Sequence, residues 1–262
     1  MNPFLQLMAS RRGEPPIGTW IMAASPIVAE ALGCAGFDWG VVDMEHSPLD
    51  LMSTVHMLQA LAGTKLVPIT RVPWNDAVVI KRVLDAGAQT LMVPFVQNAA
   101  EARAAVAACR YAPEGLRGMA AMSRASRFGT TPNYLTTANR AVGVIVQFET
   151  PAAIDQADAI AAVDGVDALF VGPGDLAGTM GLTGQLTHPD LMAAMRRAVA
   201  AAKAAGKPIG IVGGTPEIVA QYREIGFDYL AIASDLGLLM RAAQAALAKV
   251  RSDASAPSAA IQ

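Results

Sequence analysis

Along the whole chain, apolar runs of five or six residues bounded by turn-forming residues alternate with longer stretches of helical spacing. The runs lie at 18–22, 39–43, 66–70, 90–94, 143–148, 168–172, 208–212 and 229–233. Runs this short and this continuously apolar read as strands buried on both faces, as in a parallel sheet. Helix signals fill the gaps. Ser25-Pro26, His188-Pro189-Asp190 and Thr215-Pro216-Glu217 each place a capping residue before a first-turn proline. Asn75-Asp76 opens another helix, and Asn98 stands three residues before Glu101, a capping-box spacing. Glycines at 36, 87, 206 and 226 fall where helices should stop.

Eight strands, each feeding a helix, within about 250 residues is the arithmetic of an α/β fold, the (β/α)8 TIM barrel. A doubly wound open sheet is the alternative. It would place a glycine-rich turn after the first strand, and IGTWIMAASP has none. The chain reads as one barrel domain over 1–251 and a small, polar, disordered tail over 252–262. One connection breaks the rhythm. After a helix at 98–110, about 30 residues intervene before the fifth strand, and loops that long are usually functional or carry an interface. This one holds Arg110, Arg117, Arg124 and Arg127, which suits a solvated basic surface or a substrate lid.

Composition narrows the class. The hydrophobic fraction is 53% and the charged fraction 16%, which excludes disorder. A net charge of -2 favours neither nucleic acid nor an anionic membrane. No apolar stretch approaches the roughly 18 residues of a spanning helix, and MNPFLQLMASRRGEPP lacks the form of a signal peptide. Cys34 and Cys109 make no disulfide framework or metal cluster and read as buried, inert thiols. A soluble cytoplasmic protein is expected.

In such a barrel the chemistry sits at the C-terminal ends of the strands. The polar residues at those ends are Asp43, Glu45 and His46 after the second run, Arg71 after the third, Gln147 and Glu149 in the fifth and Gly172-Pro173-Gly174-Asp175 after the sixth. Glu149 and Asp175 leave neighbouring strands, so they could share one hard divalent cation, with waters and substrate oxygens completing the shell; each could equally be a helix cap. His46 has Asp43 and Glu45 beside it, and a carboxylate that accepts from an imidazole suits it to general base work. His56 and His188 read as structural. Arg71 offers a fixed fork where an oxyanion develops. The turn at 172–174 leaves the Gly174 and Asp175 amides open to a carboxylate, or is only a tight turn. Together these suggest enolate chemistry on a 2-oxo acid. Lys65 and Lys207 precede strands, at the opposite rim, so a Schiff-base aldolase is disfavoured.

With these residues in place, the chain resembles the HpcH/HpaI aldolases, metal-dependent class II pyruvate aldolases that include 4-hydroxy-2-oxoheptanedioate and 2-dehydro-3-deoxyglucarate aldolases. The likeness rests on AGFDWGVVDMEHSP (35–48), RVPWNDAVVIKRVLDAGAQTLMVPFVQNAAEAR (71–103), YAPEGLRG (111–118), VQFET (146–150) and FVGPGDLAGTMG (170–181). It spans roughly 15–250 and thins over 211–216. The resemblance implies a carbon–carbon lyase of aromatic or sugar acid catabolism. Such an enzyme reversibly cleaves a 4-hydroxy-2-oxo acid to pyruvate, or hydroxypyruvate, plus an aldehyde through an enolate. A related enolate-forming lyase, a mutase or an oxaloacetate decarboxylase on the same barrel is the alternative. It implies Mg²⁺, Mn²⁺ or Co²⁺ on Glu149 and Asp175, with Gln147 and Gly174 against the 2-oxo acid. His46 would be the base, Arg71 the transition-state stabiliser, and Asp85 would raise the basicity of His46. It also implies a homohexamer, a trimer of dimers that exchange a C-terminal helix, for which 235–251 is apolar enough.

Overall fold

A computed structural model describes residues 2–11 and 13–255. Eight parallel strands close into a barrel in chain order: β1 (Ile17–Ile21), β2 (Trp39–Asp43), β3 (Val67–Arg71), β4 (Thr90–Val93), β5 (Gly143–Phe148), β6 (Ala168–Val171), β7 (Ile209–Gly213) and β8 (Tyr229–Ser234). Register runs from Trp39 opposite Gly18 round to Leu230 opposite Ile17, with one irregularity between Gly18 and Trp20 at the closing seam. Every predicted run falls within one residue of an observed strand. Among the described residues twelve helices accompany them: α1 (Pro3–Ser10), α2 (Pro26–Cys34), α3 (Leu51–Leu61), α4 (Ala77–Asp85), α5 (Ala99–Cys109), α6 (Tyr134–Ala141), α7 (Pro151–Asp155), α8 (Ala157–Ala161), α9 (Pro173–Thr179), α10 (Pro189–Ala204), α11 (Pro216–Ile225) and α12 (Asp235–Ser255).

The predicted caps form. Ser25, Asn98 and Thr215 accept from first-turn amides, and His188 accepts from Asp190 N. Gly36, Gly87, Gly206 and Gly226 all take positive φ, the left-handed stop that a β-carbon would strain.

Aromatic rings fill the barrel interior. Trp20, Trp39, Phe170 and Tyr229 meet edge-on or tilted at centroid distances of 5.3–6.3 Å. Space for them comes from glycine: a β-carbon at Gly18 would lie 2.3 Å from the Trp39 ring, and one at Gly210 would lie 2.3 Å from Tyr229. The polar ends are satisfied, Trp39 Nε1 by Pro16 O at 3.2 Å and Tyr229 OH by Leu169 O at 2.6 Å. Helix α1 plugs the N-terminal mouth. Phe4 packs on Tyr229, and buried Asn2 caps α1 while its Nδ2 donates to Gln89 O and Ala141 O. With that end closed, the opposite mouth is the open one.

Three expectations change. The long connection after α5 is no lid. Arg117 pairs with Asp85 at the end of α4, Arg124 donates to Ala86 O, and Arg110 lies beside Gly165 O, all at the N-terminal rim. Arg110 and Arg117 are buried, so this is not a merely solvated basic surface either. Cys34 is exposed and Cys109 buried. Helix α2 turns Ala29 and Gly33 inward, and the next residue points away. Helix α12 runs on to Ser255, into the expected tail, and 256–262 lie outside the described residues.

Candidate active site

The C-terminal ends of the strands enclose a cavity of about 370 Å³ lined by His46, Arg71, Gln147, Glu149, Gly172, Gly174 and Asp175, walled by Trp20, Met22, Leu186 and Val212, with Arg241 of α12 also at its lining. A larger cavity, about 590 Å³, lies at the N-terminal side beside the α1 plug, and among the described residues no Asp, Glu or His lines it. Among the described residues no lysine lines the cavity with the carboxylates. Thus β2, β3, β5 and the turn after β6 bring seven of the eight predicted residues to one rim.

The site is built around a buried ion-pair cluster. Asp43, wholly buried at the end of β2, grips Arg71 through Nε at 2.8 Å and Nη2 at 2.7 Å. Cross-strand register sets this pair, because Asp43 sits directly opposite Arg71. Glu45 Oε2 lies 2.8 Å from Arg71 Nη1, and the guanidinium rests 5.6 Å from the Trp20 ring centroid. Burial alone would lower the Arg71 pKa, but its bonds to Asp43 and the fields of Glu45 and Glu149 raise it above the ordinary value. Asp43 therefore orients Arg71. The carboxylate beside the His46 imidazole is Glu45, whose Oε1 is 4.0 Å from Nε2. His46 itself is half exposed at the mouth, its side chain 55% accessible.

Glu149 is 1% exposed, and one backbone donor, Phe95 N at 2.7 Å, reaches its Oε2. Burial, with Glu45 and Asp175 nearby, pushes its carboxyl up to about 7 against the lowering effect of that bond. Glu45 is raised too, first by burial. Phe95 holds its N–H in place with a left-handed backbone (φ 51°) and stacks on Trp74 at 6.0 Å. Ala24, just after β1, and Ala233, in β8, share this backbone at the same rim, and Arg127, Phe128 and Asn133 share it in the long connection. Gly172 makes room for Glu149: a β-carbon there would lie 2.6 Å from Glu149 Cγ and Oε1. Gln147 is buried, and its Oε1 has no hydrogen-bond partner among the described residues.

Three carboxylates, Glu45, Glu149 and Asp175, thus raise one another's cost of ionisation in a partly desolvated space, and Arg71, bonded to Asp43 and paired with Glu45, offsets Glu149 only through its field. A divalent cation on Glu149 and Asp175 fits this donor set, since hard oxygen ligands and an uncompensated negative pair are what it takes. Among the described residues no three His, Cys, Asp or Glu side chains converge on one point, so substrate and water oxygens would supply the remaining ligands.

The model of the HpcH/HpaI aldolase/citrate lyase family matches residues 16–242. The chain belongs to that family. It is 51% identical to a 2-dehydro-3,6-dideoxy-6-sulfogluconate aldolase of Pseudomonas putida, over 92% of this chain and 94% of that one. It is 44% identical to a 5-keto-4-deoxy-D-glucarate aldolase of Enterobacter sp. (strain 638), over 93% and 94%. A solved HpcH/HpaI aldolase/citrate lyase family protein from Burkholderia cenocepacia J2315 superposes with a TM-score of 0.92 at 42% identity, over 96% of this chain and all of that one. The protein is a carbon–carbon lyase of the aldolase class.

One expected family position lies elsewhere. Asp85 ends α4 at the opposite rim, where its Oδ1 accepts from Arg117 Nη2 at 2.7 Å. A helix that starts beside Arg71 finishes a barrel height away, so within one chain Asp85 does not reach His46. Glu45 buttressing His46 and Arg71, Phe95 and Gly172 shaping Glu149, and Arg241 are the site residues that the expected set left out. Glu45 was visible at the strand end and Gly172 in the turn after the sixth strand; nothing in the sequence marks Phe95 or Arg241. His56 is exposed on α3 and His188 caps α10, as structural histidines should.

Proposed function

We propose that this chain is a divalent-metal-dependent pyruvate aldolase, which reversibly cleaves a 4-hydroxy-2-oxo sugar acid to pyruvate, or hydroxypyruvate, and an aldehyde. The observation that carries it is Glu149, buried beside two further carboxylates with a single backbone donor, at the end of a strand next to the one that delivers Asp175. Mg²⁺, Mn²⁺ or Co²⁺ bound there would serve as a Lewis acid for the keto and carboxylate oxygens of the 2-oxo acid. Gln147, with its unpartnered Oε1, and the first-turn amides at Gly174 and Asp175, which have no intrahelical acceptor, line the place where that end of the substrate would lie.

In cleavage His46 takes the proton from the 4-hydroxyl. The C3–C4 bond breaks, C4 becomes the aldehyde carbonyl, and the bonding pair stays with C3 as the enolate. Arg71 gives its Nε–H and one Nη2–H to Asp43 and ion-pairs with Glu45 on the Nη1 side, and its remaining Nη1 and Nη2 hydrogens are free to meet the charge growing on the keto oxygen. A proton returned to C3 gives the methyl group of pyruvate. Trp20, Met22, Leu186 and Val212 wall the space and limit water around the enolate.

The two named relatives act on sugar acids with a second anionic group remote from the 2-oxo acid, a sulfonate in one and a carboxylate in the other. We extend that substrate class to this chain. We also propose a cytoplasmic homohexamer, a trimer of dimers exchanging α12. Exposed Leu239, Met240, Leu247 and Val250 on that helix support an exchanged contact, and a free exposed Cys34 suits a reducing compartment. The test is chelation. Enzyme stripped with EDTA should release no pyruvate from a 4-hydroxy-2-oxo acid, and Mg²⁺, Mn²⁺ or Co²⁺ should restore release. Glu149→Gln should stay folded and lose metal binding by calorimetry. Full activity in excess chelator would end this reading.

A further inference from the structure

Among the described residues Arg71 and Arg241 are the arginines lining the active cavity, and His46 lies there too. Arg71 is balanced by Asp43 and Glu45, so it offers directed N–H donors and no net charge to a distant group. His46 faces Glu45. Arg241 is different. It leaves the second turn of α12, it is exposed, and among the described residues no carboxylate lies within 4.0 Å of its guanidinium and no side-chain hydrogen bond holds it. Its side chain still does not run out into solvent. Nη1 folds back to within 3.6 Å of where a β-carbon on Gly237 would sit, over the first turn of α12 and beside Ser234. Ser234 Oγ accepts from Gly237 N at 3.1 Å, which leaves its own O–H free to donate. The neighbouring wall, Met22, Leu186 and Val212, is apolar and has no side-chain donor.

A substrate whose 2-oxo acid end lies against Glu149, Gly174 and Asp175 must send its aldehyde half along that wall. Among the described residues that line the cavity, the counter-charge a distal anion would meet against the carboxylates' field is Arg241. We propose that Arg241, assisted by Ser234, recognises an anionic terminus, a sulfonate or a carboxylate, on the aldehyde half, and so sets the substrate class to aldehydes that carry a negative charge. The inference rests on the aldolase reading of the same cavity.

The test uses metal-loaded full-length enzyme in the addition direction, pyruvate with aldehydes of equal chain length ending in sulfonate, carboxylate or hydroxymethyl. In Arg241→Met the ratio of kcat/KM for anionic over neutral aldehydes should fall roughly ten- to a hundred-fold, through KM rather than kcat, the scale of one lost charge-assisted bond. Arg241→Lys should recover most of the ratio, and Arg241→Glu should lower it below that of Arg241→Met. The larger loss, on the sulfonate or the carboxylate arm, names the ion. A ratio unchanged in Arg241→Met, or a wild type that prefers the neutral aldehyde, overturns the inference and leaves the aldolase standing. A wild type that adds pyruvate to none of the three overturns the aldolase reading itself.

Discussion

Replacing Gly172 by alanine isolates one steric demand of the site. Gly172 has φ -88° and ψ 92°, which alanine adopts freely, so backbone strain does not enter. The added β-carbon would sit 2.6 Å from Glu149 Cγ and Oε1 and 3.0 Å from Cδ. Ordinary carbon contacts are ~3.5–4.0 Å, so the Glu149 side chain must retreat by about 1 Å. The hydrogen bond from Phe95 N, 2.7 Å, is then stretched beyond hydrogen-bonding range. Overpacking costs about 1–3 kcal/mol, and at ~2–4 °C per kcal/mol for a chain of this size Tm should fall by roughly 2–12 °C. Misplacement by about 1 Å costs ~10²-fold in rate, and disturbing the support of a metal ligand costs ~10–100-fold in metal affinity. Gly178, in the helix that Gly172 opens, is the control. A β-carbon there meets nothing within 4 Å, so Gly178→Ala should gain about 0.5–1 kcal/mol with activity intact. Calorimetric metal titration, initial rates at saturating metal and thermal melts read all of this. Gly172→Ala with wild-type metal affinity and wild-type kcat would refute the argument that this glycine exists to seat Glu149.

His46→Ala should slow aldol cleavage by about 10²–10⁴-fold and oxaloacetate decarboxylation far less, because that substrate has no 4-hydroxyl to deprotonate; Arg71→Ala should slow both by about 10²–10³-fold. Equal losses in the two reactions for His46→Ala would remove its role as hydroxyl base. In the native protein one thiol of two should react with a disulfide reagent between pH 7 and 9, since Cys34 is exposed while burial pushes Cys109 up to about 12 and leaves it protonated there; unfolding should release the second. Deleting the chain from 239 onward should shift light-scattering mass from hexamer toward smaller species, and an unchanged mass would show that α12 holds no subunits together.

The strands were legible because a barrel strand is buried on both faces and so reads as an unbroken apolar run, and the helix stops because Gly36, Gly87, Gly206 and Gly226 need a left-handed turn. The rim residues were legible for a topological reason, since the barrel gathers all eight strand ends, and the residues just beyond them, at one mouth. Partner choice was not. Asp43 precedes His46 by three positions, yet it pairs with Arg71 because cross-strand register places the two directly opposite. No local pattern marks Phe95, whose role lies in its backbone N–H and a φ of 51°; the turn at Gly172 is legible, but its role, the absence of a β-carbon beside Glu149, is not. Arg241 joins residues almost two hundred positions away through a helix whose direction only the closed barrel sets.

The long connection shows how far topology reaches when loop composition misleads. Its four arginines invite a lid over an anionic substrate. But strands run toward the catalytic rim and helices run back, so the segment after α5 must start at the N-terminal rim, and β5 must also start there. A segment with both ends at that rim cannot cover the other without crossing the barrel's height twice, which about 30 residues could do only by leaving its own side chains unpacked. The chain instead keeps Arg117 under the barrel, 4.5 Å from the Tyr111 ring centroid and bonded to Asp85. Asp85 and the connection thus belong to one buried polar assembly. Breaking it with Arg117→Met should leave Asp85 half-buried without its cation, a loss of about 3–5 kcal/mol if fully desolvated and less here because Asp85 is partly exposed. That loss should appear in the melting temperature and in the same proportion for every substrate, unlike a change at Arg241.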